Sequence, residues 1–180
     1  LFSILAVLIF CSAFFSSAET GMMTLNRYRL KHLQKQNHRG SIRAGKLLER
    51  PDRLIGVILI GNNLVNIFAS AIGTVIAIRL WGDAGVYIAT GVLTVVILVF
   101  GEITPKTVAA LQPEKIAFPA SLILLPLLKI MYPLVAMVNS VTNGLARLLG
   151  FDPNKKSEVH VSAGELRTIV TDAGELIPSR

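Results

Sequence analysis

Three long apolar segments alternate with short polar ones over roughly the first hundred residues. They run from about Leu1 to Leu25, from about Leu54 to Trp81 and from about Val86 to Glu102. A helix needs about 20 apolar residues to cross the hydrocarbon core of a bilayer, so each segment predicts a transmembrane helix. The sequence Gly82-Asp83-Ala84-Gly85 predicts a tight turn between the last two. The expected fold class is therefore all-α, an integral membrane domain with three transmembrane helices.

The polar segment 26–53 is strongly basic. Nine of the 18 Lys and Arg residues lie between Arg27 and Arg53, and the composition of the segment favours helix. Lys and Arg collect in cytoplasmic loops, so we expect segment 26–53 and the C-terminus in the cytoplasm and the N-terminus outside. The expected localisation is the cell (inner) membrane, crossed several times.

Composition supports this assignment. Charged residues make up 16% of the chain, whereas a soluble domain carries about 25%. The net charge of +7 comes largely from basic residues beside apolar spans, which is typical of contact with anionic headgroups. We therefore expect the lipid bilayer and not nucleic acid as the partner. The single cysteine, Cys11, excludes a disulfide framework or a thiolate metal site within one chain.

A fourth apolar region, Ile116 to Leu149, is harder to interpret. It contains Lys129 at its middle and three prolines, at 119, 126 and 133, each of which removes a backbone donor and kinks or ends a helix. We expect a pair of short helices that lie at the cytoplasmic face or dip in and return. A fourth crossing is the alternative.

The last thirty or so residues, 151–180, are polar, and they follow a transmembrane ion-transport domain expected over 1–150. Ser162-Ala-Gly-Glu165 resembles a capping box and predicts the start of a short soluble helix.

Polar residues inside the apolar segments are the candidate chemistry. The first segment contains Ser12 and Ser16, four residues apart and so on one helix face, and Glu19 and Thr20 follow. The second contains two polar positions on a shared face, Asn62 and Asn66, with Asn63 beside them. An acidic residue inside a membrane is by default a functional hypothesis.

The third segment ends in Gly101-Glu-Ile-Thr-Pro-Lys106. Pro105 has no amide hydrogen, so we expect the helix to break there and the carbonyl of Gly101 to lack its usual donor. Hydroxyl, amide, carboxylate and free carbonyl oxygens are the hard donors that Mg²⁺ and Ca²⁺ prefer. The polar set therefore predicts a hard-cation site.

Each element also has a purely structural interpretation. The serines can bond to the preceding turn, and the asparagines can join helices. Glu102 and Lys106 are four residues apart and can form an ion pair, while Glu19 can balance Arg27 or Arg29.

Three strings then show a family resemblance. Ser16-Ser-Ala-Glu-Thr20, Ile60-Gly-Asn-Asn-Leu-Val-Asn66 and Gly101-Glu-Ile-Thr-Pro-Lys106 resemble the signature segments of the CorB/CorC/CNNM family, including its bacterial YfjD-like members. Nearly the whole chain is covered, in the same segment order. The family commonly has Gly where this chain has Ser17.

The resemblance implies three transmembrane helices with a belt of short juxtamembrane helices, arranged as a homodimer. It also implies that a helical linker begins at 151–180 and that a CBS-pair module, which binds ATP with Mg²⁺, follows it.

The implied activity is Mg²⁺ transport, as efflux coupled to Na⁺ entry, and not an enzymatic reaction. Carried over by motif position, the ligands are Ser12, Ser16, Asn62 or Asn63, and the Gly101 carbonyl, with Glu102 as electrostatic partner. Further pathway candidates are Glu19, Thr20, Asn66, Pro105 and Lys106. A Mg²⁺ sensor without flux and a structural dimer scaffold remain alternatives, as do Co²⁺ and Mn²⁺ in place of Mg²⁺.

Overall fold

The computed structural model describes residues 1–150, and every regular element in that range is helical. The α-helices are α1 (Phe2–Thr24), α2 (Arg27–Lys35), α3 (Arg39–Leu48), α4 (Pro51–Trp81), α5 (Gly85–Val96), α6 (Thr104–Leu111) and α7 (Pro113–Leu148). A short 3₁₀ turn, Gly82–Ala84, precedes α5, and a seven-residue π-helical stretch, Ile97–Ile103, follows it. We call this stretch the π segment. The predicted all-α fold is confirmed.

Three helical stretches are long and apolar enough to cross a membrane: Phe2–Thr24, Pro51–Leu111 and Pro113–Leu148. The second contains α4, the turn and α5, which form a helical hairpin, and it continues through the π segment into α6. Large apolar side chains lie on the outside of these helices, and Phe10 and Ile67 are 75% and 67% exposed. In water such surfaces would be costly, whereas lipid tails cover them.

The basic segment forms two short helices whose starts are capped by side chains. The Asn26 Oδ1 atom accepts hydrogen bonds from the backbone N–H groups of Tyr28 and Arg29, at 3.0 and 3.1 Å. The His38 ring nitrogen accepts one from the Ser41 N–H at 3.2 Å. These caps satisfy donors that a helix start leaves free. Helices α2 and α3 are thus the expected juxtamembrane belt.

The belt joins the membrane helices through a common apolar core. Leu30 of α2 and Leu47 of α3 are buried together with Met22 near the end of α1 and Leu54 near the start of α4. The belt therefore lies at the end of the bundle where α1 ends and α4 begins, which is the end opposite the Gly82–Ala84 turn.

The third span differs from its prediction. The helix does not break at Pro105 but widens into the π segment and continues as α6, with Pro105 in its first turn. The Thr104 N–H bonds to the carbonyl of Val99, five residues earlier, as in a π-helix. The interior of an α-helix does not accommodate proline well, but the first turn of a helix does. The π segment ends just before Pro105, so Pro105 lies in the first turn of α6.

The expectation of two short helices over 116–149 is wrong, because α7 is one helix of 36 residues. Its three prolines recur every seven residues and share one exposed stripe. The packed stripe carries Ala117, Ala120 and Leu124 instead. The Arg43 Nε atom of α3 donates to the Ser121 hydroxyl at 3.3 Å, and Arg29 of α2 pairs with Glu114 at 2.5 Å. The first half of α7 is thereby attached to the belt.

Residues 1–139 form one compact unit, and the described part of the second unit is the end of α7. The predicted capping box at Ser162 and Glu165 lies outside the described residues, as does the proposed linker at 151–180.

Close contact between α1 and α4 depends on Gly61. A Cβ atom at this position would lie 2.5 Å from the nearest ring atom of Phe15. We predict that Gly61→Ala lowers the stability of the purified protein by about 1–3 kcal/mol, because the ring must move out of a packed core. Thermal unfolding in detergent measures this loss.

Gly91→Ala is the matched control, since a Cβ atom at Gly91 meets nothing within 4 Å. It should leave the unfolding temperature unchanged or slightly raised. Adding Phe15→Leu to the Gly61→Ala protein should restore its stability, because the smaller side chain makes room for the Cβ atom. Equal unfolding temperatures for the two glycine variants would contradict the packing argument.

Candidate cation site

Ser12 stands at the meeting point of three helical elements. Its side chain is fully buried in the middle of α1. The Ser12 Oγ atom lies 3.2 Å from Asn62 Oδ1 of α4 and 3.5 Å from the carbonyl oxygen of Gly101 in the π segment. Three oxygens from three elements therefore converge, and we call them the Ser12 cluster.

The π segment and Gly101 make this convergence possible. A Cβ atom on Gly101 would lie 2.9 Å from the Ser12 hydroxyl, closer than real Cβ contacts allow. The Gly101 carbonyl is also four residues before Pro105, which has no N–H to donate to it. The carbonyl is therefore directed to a contact outside its own helix.

Ser16 lies one helical turn beyond Ser12 on the same face of α1. It is fully buried, and its hydroxyl has no hydrogen-bond partner within residues 1–150. A buried hydroxyl without a partner costs about 1–3 kcal/mol, so the position calls for a ligand or water. Ser17 is different, because its hydroxyl donates to the carbonyl of Phe14 at 3.0 Å.

Glu102 is held from the α4 side. Asn66 Nδ2 donates to Glu102 Oε1 at 3.2 Å, which leaves Asn66 Oδ1 buried and without a partner in the described range. Asn66 thus serves the carboxylate and not the Ser12 cluster.

The structure pairs the remaining charges differently from the alternatives raised by the sequence. Lys106 Nζ lies 3.4 Å from Glu19 Oε2, across the gap between α1 and α6, and so does not pair with Glu102. Arg29 pairs with Glu114, and so does not balance Glu19. Both side chains of the Glu19–Lys106 pair are about one-third to two-fifths exposed, so its contribution to stability is small.

Three further sequence candidates do not join the Ser12 cluster. Asn63 is exposed on α4, whereas its neighbour Asn62 faces Ser12. The Thr20 carbonyl accepts from the Thr24 hydroxyl at 2.7 Å, within α1. Pro105 contributes only indirectly, because it has no N–H to donate to the Gly101 carbonyl. The geometry therefore favours Asn62 over Asn63.

Four further polar residues, missed by the sequence analysis, line a cleft of about 320 Å³ between α4 and α5. The cleft ends at Asn66 and Glu102. The four residues are Ser70 and Thr74 on α4 and Thr90 and Thr94 on α5. The four-residue spacing within each helix is the feature of the sequence that could have identified them.

The chemistry of the Ser12 cluster follows from its proton count. Asn62 Oδ1 and the Gly101 carbonyl are acceptors, and the only hydrogen between the three oxygens is that of the Ser12 hydroxyl. Over residues 1–150, no group of three or more His, Cys, Asp or Glu is placed to hold a metal ion. The cluster is thus a set of neutral hard oxygens with one nearby carboxylate, which suits a hard cation held weakly.

Known sequences resemble this chain over nearly its whole length. The family described as "Cyclin M transmembrane N-terminal domain" (CNNM) matches residues 3–176. The Escherichia coli "UPF0053 inner membrane protein YfjD" is 56% identical over 169 residues, which is 94% of this chain and 40% of that protein. A "UPF0053 protein" of Haemophilus influenzae is 54% identical over 99% of this chain and 42% of its own length.

A chloroplastic DUF21 domain-containing protein of Arabidopsis thaliana is 39% identical over 94% of this chain and 26% of its own length. The chain thus spans about two fifths of the two bacterial relatives, and it is a membrane-embedded domain. It belongs to the CNNM transmembrane-domain family, a family linked to the transport of divalent cations across membranes.

Proposed function

We propose that this chain is the ion-translocating domain of a Mg²⁺ transporter, which binds the ion at the Ser12 cluster. The observation that carries the proposal is that Asn62 Oδ1 and the Gly101 carbonyl oxygen both lie within 3.5 Å of Ser12 Oγ. A buried group of acceptors that share one hydrogen is stabilised by a cation. The unpartnered hydroxyl of Ser16 is a further ligand one turn away.

Ion binding requires only a local rearrangement. A cation between the three oxygens would take their lone pairs, so the Ser12 hydrogen would rotate to the carbonyl of the preceding turn of α1. Mg²⁺ prefers six oxygens at about 2.0–2.1 Å, so bound water or Ser16 completes the set. Glu102 follows Gly101 in the π segment, and its negative charge lowers the electrostatic cost of a divalent ion inside the membrane.

Weak binding suits transport. The cluster consists of neutral oxygens, and the second carboxylate of the region, Glu19, is neutralised by Lys106. A site with several fixed carboxylates would hold Mg²⁺ too tightly for release. This balance supports a transporter over a permanent structural ion.

The rest of the proposal concerns the whole protein. We propose efflux of Mg²⁺ coupled to Na⁺ entry, a homodimer, and a cytosolic CBS-pair module that responds to ATP and Mg²⁺. We also propose that the chain is not an enzyme and that the basic belt and the C-terminus are cytoplasmic. Nine of the 18 Lys and Arg residues lie between 27 and 53, seven of them in the belt helices, which supports that orientation.

Removal of single ligands tests the site. We predict that Ser12→Ala and Asn62→Ala each weaken Mg²⁺ binding at least tenfold, or about 1.4 kcal/mol, because each removes an oxygen from the cluster. Isothermal titration calorimetry of the full-length protein in detergent measures binding. Mg²⁺ flux in proteoliposomes that contain a Mg²⁺ dye should fall in parallel.

The chain offers a matched control for each change. Asn63→Ala removes the exposed neighbouring amide, and Ser17→Ala removes a hydroxyl that is already bonded to Phe14. Both should bind and transport like the parent protein. Equal losses for Asn62→Ala and Asn63→Ala would contradict the ligand assignment, and binding without flux in the parent protein would favour a sensor.

Added charge should separate binding from release. Asn62→Asp places a second carboxylate beside the cluster, so we predict tighter Mg²⁺ binding and slower flux, each by at least several-fold. The same calorimetry and proteoliposome measurements apply. Weaker binding by Asn62→Asp, in a protein that folds and dimerises normally, would show that the ion does not contact residue 62.

A further inference from the structure

Two polar ridges face each other across the α4–α5 hairpin. On α4, the ridge consists of Asn66, Ser70 and Thr74, spaced four residues apart. On α5 and the π segment, Thr90, Thr94 and Glu102 lie on one face, with the apolar Leu98 between Thr94 and Glu102 at the same interval. The apolar side chains of Leu93 and Ile97 complete the lining. Between them lies the cleft of about 320 Å³.

The threonine hydroxyls of the cleft have already used their hydrogens. Thr74, Thr90 and Thr94 each donate to the carbonyl four residues earlier, at 2.8, 2.9 and 2.6 Å. Each oxygen therefore presents only lone pairs to other partners. Such a lining attracts cations and the hydrogens of water, whereas an anion would meet further negative charge.

The floor of the cleft adds a full negative charge and an unmatched acceptor. Glu102 carries the carboxylate, and Asn66 Oδ1 is buried without a partner in the described part of the chain. Because Asn66 Nδ2 is already bonded to Glu102, the two side chains together offer acceptor oxygens.

The cleft lies in the half of the hairpin nearer the turn. Thr74 is about 10 Å along α4 from Trp81, and Thr90 is about 8 Å along α5 from Gly85, at a rise of about 1.5 Å per residue. The basic belt is at the opposite end of α4. Glu102 follows directly on Gly101, so the floor of the cleft is one residue from the Ser12 cluster.

We propose that this cleft is a second cation site, a water-filled vestibule that holds a divalent cation with its water shell beside Glu102. Six waters occupy about 180 Å³ at about 30 Å³ each, so a hydrated Mg²⁺ ion fits. The inference rests on the proposed function, since it assigns the cleft as the route between the Ser12 cluster and the side of the turn. Lipid tails in the cleft would leave the Glu102 carboxylate without water, at high cost.

Cysteine labelling tests the vestibule in the full-length protein. Cys11 is replaced by Ala, Thr94→Cys is added, and a membrane-impermeant cationic methanethiosulfonate reagent is applied to proteoliposomes. We expect rapid modification, faster than with the anionic reagent, because Glu102 attracts positive charge. MgCl₂ at millimolar concentration should slow modification several-fold relative to choline chloride of equal ionic strength, and Glu102→Gln should remove this protection.

Val95→Cys is the matched control, because Val95 is 60% exposed on α5 but does not line the cleft. It should remain unmodified. Thr90→Cys is a second reporter in case Thr94→Cys fails to fold, as judged by its gel-filtration profile.

Modification of neither cleft cysteine would overturn the proposal and would indicate that lipid or a second copy of the chain fills the cleft. Modification without Mg²⁺ protection would also overturn it. Labelling is independent of flux, so a parent protein that shows Mg²⁺ protection but no flux would contradict the proposed function and not the second cation site.

Discussion

The close approach of α1 to its two neighbours is the constraint on which the site depends. It rests on two glycines: Gly61 admits the ring of Phe15, and Gly101 admits the hydroxyl of Ser12. If either carried a side chain, the helices would stand further apart and the oxygens of Ser12, Asn62 and Gly101 would not converge. The chain therefore sets the geometry of a cation site by the absence of side chains as much as by the identity of the ligands.

The π segment is the second part of this arrangement. It lies directly before Pro105, and within it the Gly101 carbonyl contacts α1 while the Glu102 side chain contacts α4. A neutral carbonyl and a carboxylate thus serve two different neighbours of one helix. This separation allows the Ser12 cluster to remain weakly charged while a full negative charge stays close, a combination that favours both entry and release of a cation.

Much of this could be predicted from the sequence. Hydropathy located the first three spans, and four-residue spacing correctly placed Ser12 and Ser16 on one face of α1. Distances between helices are not encoded locally, so the sequence could not choose Asn62 over Asn63 or pair Lys106 with Glu19. Proline rules overstated the breaks, since tertiary packing keeps α7 continuous with its prolines on the exposed side. The cleft was missed because a single Ser or Thr in an apolar helix commonly bonds to the backbone of its own helix and gives no sign of a shared cleft.

An experimental structure of the full-length protein in Mg²⁺ tests the central claim most directly. We predict an ordered ion with oxygen ligands at about 2.0–2.1 Å that include Ser12, Asn62 and the Gly101 carbonyl. Its density should disappear from protein prepared without divalent cations. A Ser12 hydroxyl that stays bonded to Asn62 in saturating Mg²⁺, with no ion between Ser12, Asn62 and the Gly101 carbonyl, would contradict the account.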